Sequence, residues 1–244
     1  MRIAIVSDIH GNLVALDAVL ASLERERVDQ VVCLGDVVAN GPQPAEVLRK
    51  VRDLRWQVVK GNTDDWFLFP PPFDLNAERE RRLKDIWGWT QEQLTPSDLD
   101  YIRSFPPRIE LALVGGRNLL CYHGSPQSNT DLIWAATPDD DLARMLAGYR
   151  ASLMAGGHTH EPMLRRFQKV LVMNPGSVGM PFERGNTPAE SRRPPWAEYA
   201  IVETLDGELS VTFKRAPVDV QAVVQGARRS GIPQLDWWIS EWVQ

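Results

Sequence analysis

Apolar residues along this chain follow two alternating rhythms. Residues 2–6 form a short β-rich run, and 13–23 place Leu13, Leu16, Val19, Leu20 and Leu23 at the spacing of one helix face. The alternation repeats with a buried-type run at 31–34, a helix from Pro44 to about residue 53, and a third strand at 56–59. Proline suits the first turn of that helix. Each strand ends on a small polar motif: Ser7-Asp8, Gly35-Asp36 and Gly61-Asn62. Chemistry at the carboxyl ends of strands is what an α/β sheet favours, because the loops there converge on one crevice.

Residues 65–107 break the rhythm. Pro70-Pro71-Pro72 interrupts the chain, 78–94 reads as a charged helix with Trp87 and Trp89, and Thr95-Pro96 reads as an N-cap followed by a first-turn proline. This stretch is expected to be a helical insertion, a solvated pair of helices packed on one sheet edge. Strand-like runs then dominate. Residues 108–114 and 118–122 flank Gly115-Gly116, a hairpin signal. Further strands are expected at 151–155, 162–167, 170–173, 198–203 and 209–213, with a helix at 138–148 and a turn at Asp206-Gly207. Residues 182–195 are rich in Arg, Pro, Gly and Ser and read as a mobile loop; 218–244 reads as a helical tail carrying Trp237, Trp238 and Trp242.

The bulk properties narrow the class. A chain of 244 residues, 43% apolar and 24% charged, is ordinary for one soluble domain, here 1–244. A net charge of −5 argues against stable nucleic-acid binding. No apolar stretch approaches the roughly 20 residues of a membrane helix, and the first residues lack a leader pattern, so a cytoplasmic location is expected. Cys33 and Cys121 both fall in apolar strand-like runs and read as reduced core thiols.

The four histidines change the picture. His10 lies in Asp8-Ile9-His10-Gly11, His123 in His123-Gly124-Ser125, and His158 and His160 in Gly157-His158-Thr159-His160. None is left for the general surface. Imidazoles, two carboxylates (Asp8, Asp36) and the amide of Asn62 form a donor set for two metal ions sharing one carboxylate. Two such ions, roughly 3.5–4 Å apart, activate a bridging water and polarise phosphoryl oxygens, which points to hydrolysis at phosphorus.

In their order and spacing, Asp8-Ile9-His10-Gly11-Asn12, Gly35-Asp36, Gly61-Asn62, His123-Gly124 and Gly157-His158-Thr159-His160 resemble the calcineurin-like metallophosphoesterase superfamily, closest to its small bacterial and archaeal phosphodiesterase branch. The resemblance covers about 1–203, outside the insertion. It implies an α/β fold of α+β type: a two-sheet β-sandwich flanked by helices. It also implies that Asp8, His10, Asp36 and His160 hold one metal, and Asp36, Asn62, His123 and His158 the other, with Asp36 bridging. Mn²⁺ is the expected ion, with Fe, Ni, Co or Zn as alternatives. A hydroxide bridging the two ions would attack phosphorus in a small phosphoester or nucleotide-type substrate.

One departure shapes the expected reaction. Many members have a histidine directly after the Gly-Asn pair; here that position is Thr63. With every histidine assigned to metal, leaving-group protonation falls to water or to Asp64, and activated phosphodiesters become the expected substrates. Asp36, Asn62 and Asp64 are the expected catalytic residues, with a helix cap as the plain alternative for Asp64. A phosphomonoesterase or dinucleotide-polyphosphate hydrolase, and a non-catalytic scaffold or regulator on the same fold, are the alternative functions. Asn12 reads as an N-cap, Asn174-Pro175-Gly176-Ser177 as a turn lining the site, and Trp66 and Phe67 as packing of the insertion. Arg184, Arg192 and Arg193 read as solvated. The tail tryptophans read as a cover for the core or for a homodimer interface.

Overall fold

The computed structural model describes residues 1–185, 192–205 and 207–242. In chain order the elements are β1 (Arg2–Val6), α1 (Leu13–Glu26), β2 (Gln30–Cys33), α2 (Pro44–Asp53), β3 (Gln57–Val58), α3 (Asn62–Asp65), α4 (Glu78–Gln93), α5 (Pro96–Arg103), β4 (Ile109–Leu113), β5 (Arg117–Cys121), α6 (Asp139–Met145), β6 (Leu153–Ala155), β7 (Met163–Phe167), β8 (Val170–Asn174), β9 (Trp196–Leu205), β10 (Glu208–Pro217), α7 (Val220–Ser230) and α8 (Leu235–Ser240).

They form two five-stranded sheets, ordered β10-β9-β1-β2-β3 and β4-β5-β6-β8-β7. The alternation of side chains along a strand divides the core. Ile3 and Ile5 of β1 face the second sheet, where they meet Leu119, Cys121, Leu153 and Met173. Ala4 and Val6 face the other way, onto Leu16, Val19, Val47 and Val223 of the helices. On the outer face of the second sheet, Leu120, Tyr122 and Met154 pack with Leu142 and Leu146. The result is a sandwich of two sheets with helices outside each, as the resemblance implies.

Within the first sheet β1, β2 and β3 run parallel. Within the second, β5, β6 and β8 do the same. Six motif-bearing loops therefore leave their strands at parallel carboxyl ends. Cys33 and Cys121 are fully buried and unpaired, one in each sheet.

The insertion differs from a solvated pair on a sheet edge. Ile86, Ile102 and Phe105 join the same core as α1, α2 and α7, so α4 and α5 extend the helical layer. Thr95 caps α5 reciprocally: its Oγ1 accepts from Asp98 N, and Asp98 Oδ2 accepts from Thr95 N at 3.0 Å. Arg52 of α2 fastens the pair through Asp98 at 2.8 Å. The helical tail is built of two helices, α7 ending on Gly231 in the left-handed region at φ +76°. Residues 243–244 of the tail, 186–191 of the 182–195 loop, and Asp206 of the 206–207 turn lie outside the described residues; Leu205 and Glu208 on either side of that turn are paired. Among the described residues no helix is long and apolar enough to cross a membrane.

Candidate metal centre

Sharp turns at the strand ends aim the candidate ligands. Asp8, His10, Asp36, His158 and His160 all have φ between 49° and 69°. Non-glycine residues enter that region uncommonly, and such strain gathers at sites that use it. The loops are laced together by backbone bonds, Asp8 N to Gly35 O at 3.0 Å and His10 N to Asp36 O at 2.9 Å. Gly61 is required by crowding: a Cβ there would lie 2.1 Å from Asp36 Oδ1.

Two clusters result, Asp8 with His10 and His160, and Asp36 with His123 and His158, the ligand atoms within each lying within 4.8 Å of one another. Asp36 stands between them. Its Oδ2 is 3.7 Å from His10 Nε2, and its Oδ1 is 3.5 Å from His123 Nε2. Asn62 Oδ1 lies 2.9 Å from His123 Nε2. All seven residues expected as metal ligands are thus brought to one rim, drawn from both sheets.

The histidine tautomers are fixed from behind. His10, His123 and His160 each present Nδ1 to a backbone carbonyl, of Ala39 at 3.0 Å, Leu34 at 2.7 Å and Met180 at 2.8 Å. A carbonyl only accepts, so each Nδ1 carries a hydrogen; in a neutral ring such as His10 the Nε2 is then left with a bare lone pair, whereas the charged His123 keeps a second hydrogen there until a metal displaces it. Those lone pairs meet other acceptors: His10 Nε2 faces His160 Nε2 at 3.1 Å, and His160 Nε2 faces Asp8 Oδ1 at 3.2 Å. Asp8 Oδ1 is buried without a hydrogen-bond partner. Acceptors converging on acceptors in a buried site are the arrangement that a cation's coordination shell requires, and the donor set fits a divalent metal.

Charge balance agrees. Burial alone would raise the Asp8 carboxyl, but His160 and His123 hold it at about 2. Burial likewise opposes ionisation of Asp36, and His123, His10 and His158 overcome it, keeping that carboxyl far below its usual range. Burial lowers His10 to about 4, against the pull of Asp36, so it is neutral and ready to ligate. Burial and the nearby His123 also lower His158. His123 is the exception: burial disfavours its charge, yet Asp36 and Asp8 raise it to about 10.

Asp64 lies behind the rim, fully buried. Its Oδ2 accepts from Asp36 N at 2.8 Å and Gly61 N at 2.9 Å, and its Oδ1 from Val37 N at 3.0 Å. Burial and the neighbouring Asp36 raise it to about 7. Both of its oxygens are engaged with the backbone that carries Asp36 and Asn62. Thr63 is buried, and its N donates to Asp36 Oδ1 at 2.9 Å.

Asn12 caps α1 by accepting from Ala15 N at 3.1 Å. Asn174 and Ser177 line the site as a turn: Asn174 Nδ2 donates to Gly157 O, and Ser177 Oγ to Asp8 O at 2.8 Å. Phe67 stacks on Trp87, and Trp66 meets Phe73 edge-on, both inside the insertion. Trp238 and Trp242 are buried in the chain's own helix-side core. Arg184 pairs with Glu161 and Arg192 with Glu183. Arg193 is not solvated: it is largely buried against Glu241 and over the Trp242 ring. The carbonyls of Leu34, Ala39 and Met180 escaped sequence reasoning, since any residue type supplies a carbonyl.

Over residues 1–206 the chain matches the calcineurin-like phosphoesterase superfamily domain. It is 30% identical to a metallophosphoesterase from Sphaerobacter thermophilus of known structure, covering 100% of this chain and 99% of that one with a TM-score of 0.75. It is 27% identical to the uncharacterized protein MJ0912 of Methanocaldococcus jannaschii over 98% of this chain and 96% of the relative. It is also 26% identical to the phosphodiesterase YfcE of Escherichia coli K12 over 78% of this chain and 84% of that protein.

Proposed function

The chain belongs to the calcineurin-like phosphoesterase superfamily, and from that premise we propose that it is a phosphodiesterase working with two divalent metal ions. The observation that carries the reading is Asp36, whose two carboxylate oxygens face different histidines, His10 and His123. A carboxylate so placed is suited to join two ions. Asp8, His10 and His160 would hold one of them with Asp36; Asn62, His123 and His158 would hold the other. Bound there, divalent cations would supply Lewis acidity at phosphorus and a water acidic enough to attack near neutral pH.

The remaining work falls to the chain. Asp36, Asn62 and the histidines fix the positions of charge, and Asp64 acts through the Asp36 backbone as a positioning residue. No histidine is free to protonate a leaving oxygen, and Thr63 Oγ1 is buried. The site therefore suits esters whose leaving group departs without help, which favours aryl diesters over monoesters of poor leaving groups. Mixed imidazole and carboxylate donors suit Mn, Fe, Co, Ni and Zn alike; Mn²⁺ is the ion we expect to support activity.

The test is hydrolysis of bis-p-nitrophenyl phosphate beside p-nitrophenyl phosphate, on metal-stripped protein with and without Mn²⁺, and with Asp36→Asn. Mn²⁺-dependent cleavage favouring the diester, and lost in the variant, is the expected result. Preference for the monoester would make the protein a phosphatase. Inactivity on both across Mn, Ni, Co and Zn, with binding shown, would leave a scaffold or regulator.

A further inference from the structure

A cavity of about 650 Å³, within the roughly 300–1,000 Å³ of small-ligand sites, is lined by residues that adjoin the candidate ligands in the chain. Its walls are rooted in the ligand shell. Glu161 follows His160 directly; Phe182, whose ring contacts the wall residue Arg184, lies two residues past Met180, whose carbonyl fixes the His160 ring. Across from them, Leu132 and Trp134 come from the loop that leaves His123.

The lining is mostly apolar, with Asp141, Glu161 and Arg184 as its charged members. Leu132 in the lining is 47% exposed, and Phe182, behind the wall residue Arg184, is 36% exposed. The Arg184 guanidinium lies 5.1 Å from the centroid of the Trp134 ring and 5.8 Å from that of Phe182. Glu161 Oε1 holds it at 2.8 Å. Flat aromatic surface, a held cation and a carboxylate with free lone pairs match a flat ring with polar edges. They match an aliphatic chain poorly, since it would leave the charged pair desolvated and unused.

We propose that this cavity is a nucleobase subsite, in which the base of a nucleotide ester stacks on Trp134 while its phosphodiester reaches the metal centre beside His160. The proposal rests on the phosphodiesterase reading and names its substrate class. Base stacking on an aromatic side chain is sequence-tolerant and strengthens binding by roughly ten-fold per base. A site of this kind therefore discriminates nucleotides from sugar phosphates more than it discriminates one base from another.

The experiment measures binding to the metal-stripped protein by saturation-transfer NMR titration, with adenosine 5′-monophosphate and ribose 5-phosphate as probes. The wild type is expected to bind the nucleotide about ten-fold more tightly, as one stacked base requires. Trp134→Ala should abolish that difference, and Trp134→Phe, which keeps a ring, should retain most of it. Equal binding of both probes by the wild type, or an unchanged preference in a folded Trp134→Ala protein, would overturn the proposal. Hydrolysis of bis-p-nitrophenyl phosphate by the same wild-type preparation, reloaded with Mn²⁺, separates the two readings. Hydrolysis without base preference removes the subsite alone; base preference without hydrolysis removes the phosphodiesterase reading alone.

Discussion

His10 and His160 point their Nε2 atoms at one another across 3.1 Å, although each has committed its Nδ1 hydrogen to a backbone carbonyl. Two lone pairs at that distance repel, and a cation held between them turns repulsion into ligation. Metal should therefore contribute to the stability of the fold as well as to catalysis. Saturating Mn²⁺, at about 100 times its Kd, adds roughly 2.7 kcal/mol. For a chain of this size that is a rise of about 5–10 °C in Tm. Differential scanning calorimetry on stripped and reloaded protein checks it. His160→Ala should lose most of the rise, and should cost the stripped protein little. An equal rise in the variant would mean that the ion binds elsewhere.

Proton release on metal uptake should differ between the two clusters. His10, lowered to about 4, is already neutral at pH 7, whereas His123, raised to about 10, is protonated in the metal-free protein. The folded value of His123 lies above its ordinary 6.5, so it contributes stability to the metal-free fold that is complete below about pH 6.5. That contribution is lost as pH rises toward 10. Metal binding runs the opposite way, since the ion must displace that proton, and affinity at the His123 cluster should climb with pH. Calorimetric titration in buffers of different ionisation enthalpy should count about one proton released per ion there. No release at pH 7 would contradict the charge assigned to His123.

Asp64 holds three backbone N–H groups, of Asp36, Gly61 and Val37. Asp64→Asn replaces one accepting oxygen with an N–H₂ that faces donors. Leaving buried donors unmet costs about 1–3 kcal/mol, measurable by urea unfolding. Metal affinity should fall as well, because the loops carrying Asp36 and Asn62 lose their common anchor. Unchanged stability with lost activity would instead mark Asp64 as a group acting on substrate.

Cys33 and Cys121 are fully buried, and burial pushes both thiols far above their usual range. Thiol reagents act on the thiolate. Ellman's reagent should therefore label neither cysteine in the native protein at pH 8 and both after denaturation. Rapid native labelling of either would show that the sheet around it opens.

Much of the fold and of the site could be read from the sequence, for a physical reason. Strands buried on both faces spell continuous apolar runs, and the runs at 2–6, 31–34 and 118–122 end where Asp8, Asp36 and His123 turn into the rim. Side chains able to ligate metal have distinctive chemistry, so the types and order of the candidate ligands are legible without any geometry. What stayed hidden depends on groups without a type or on distant pairing. The carbonyls of Leu34, Ala39 and Met180 fix three rings and carry no signature. Arg193 is buried against Glu241, 48 residues on, and the Trp242 ring beside it. Nothing local announced that α4 and α5 would share a core with α1, or that Glu161 and Trp134 would face one cavity.

The position of β1 also governs how the molecule comes into being. Ile3 is paired with Gln30 on one side and with Val202 on the other. During synthesis the candidate ligand set is complete once His160 has emerged, but the strand that leads into Asp8 keeps an open edge until 196–205 arrives, on the order of seconds later. Pairings so distant in sequence form slowly, and an uncovered strand edge invites other chains. A growing chain thus holds every candidate metal-binding side chain before it has the sheet that aims them, and an ion captured early would have to wait for β9 to close on β1.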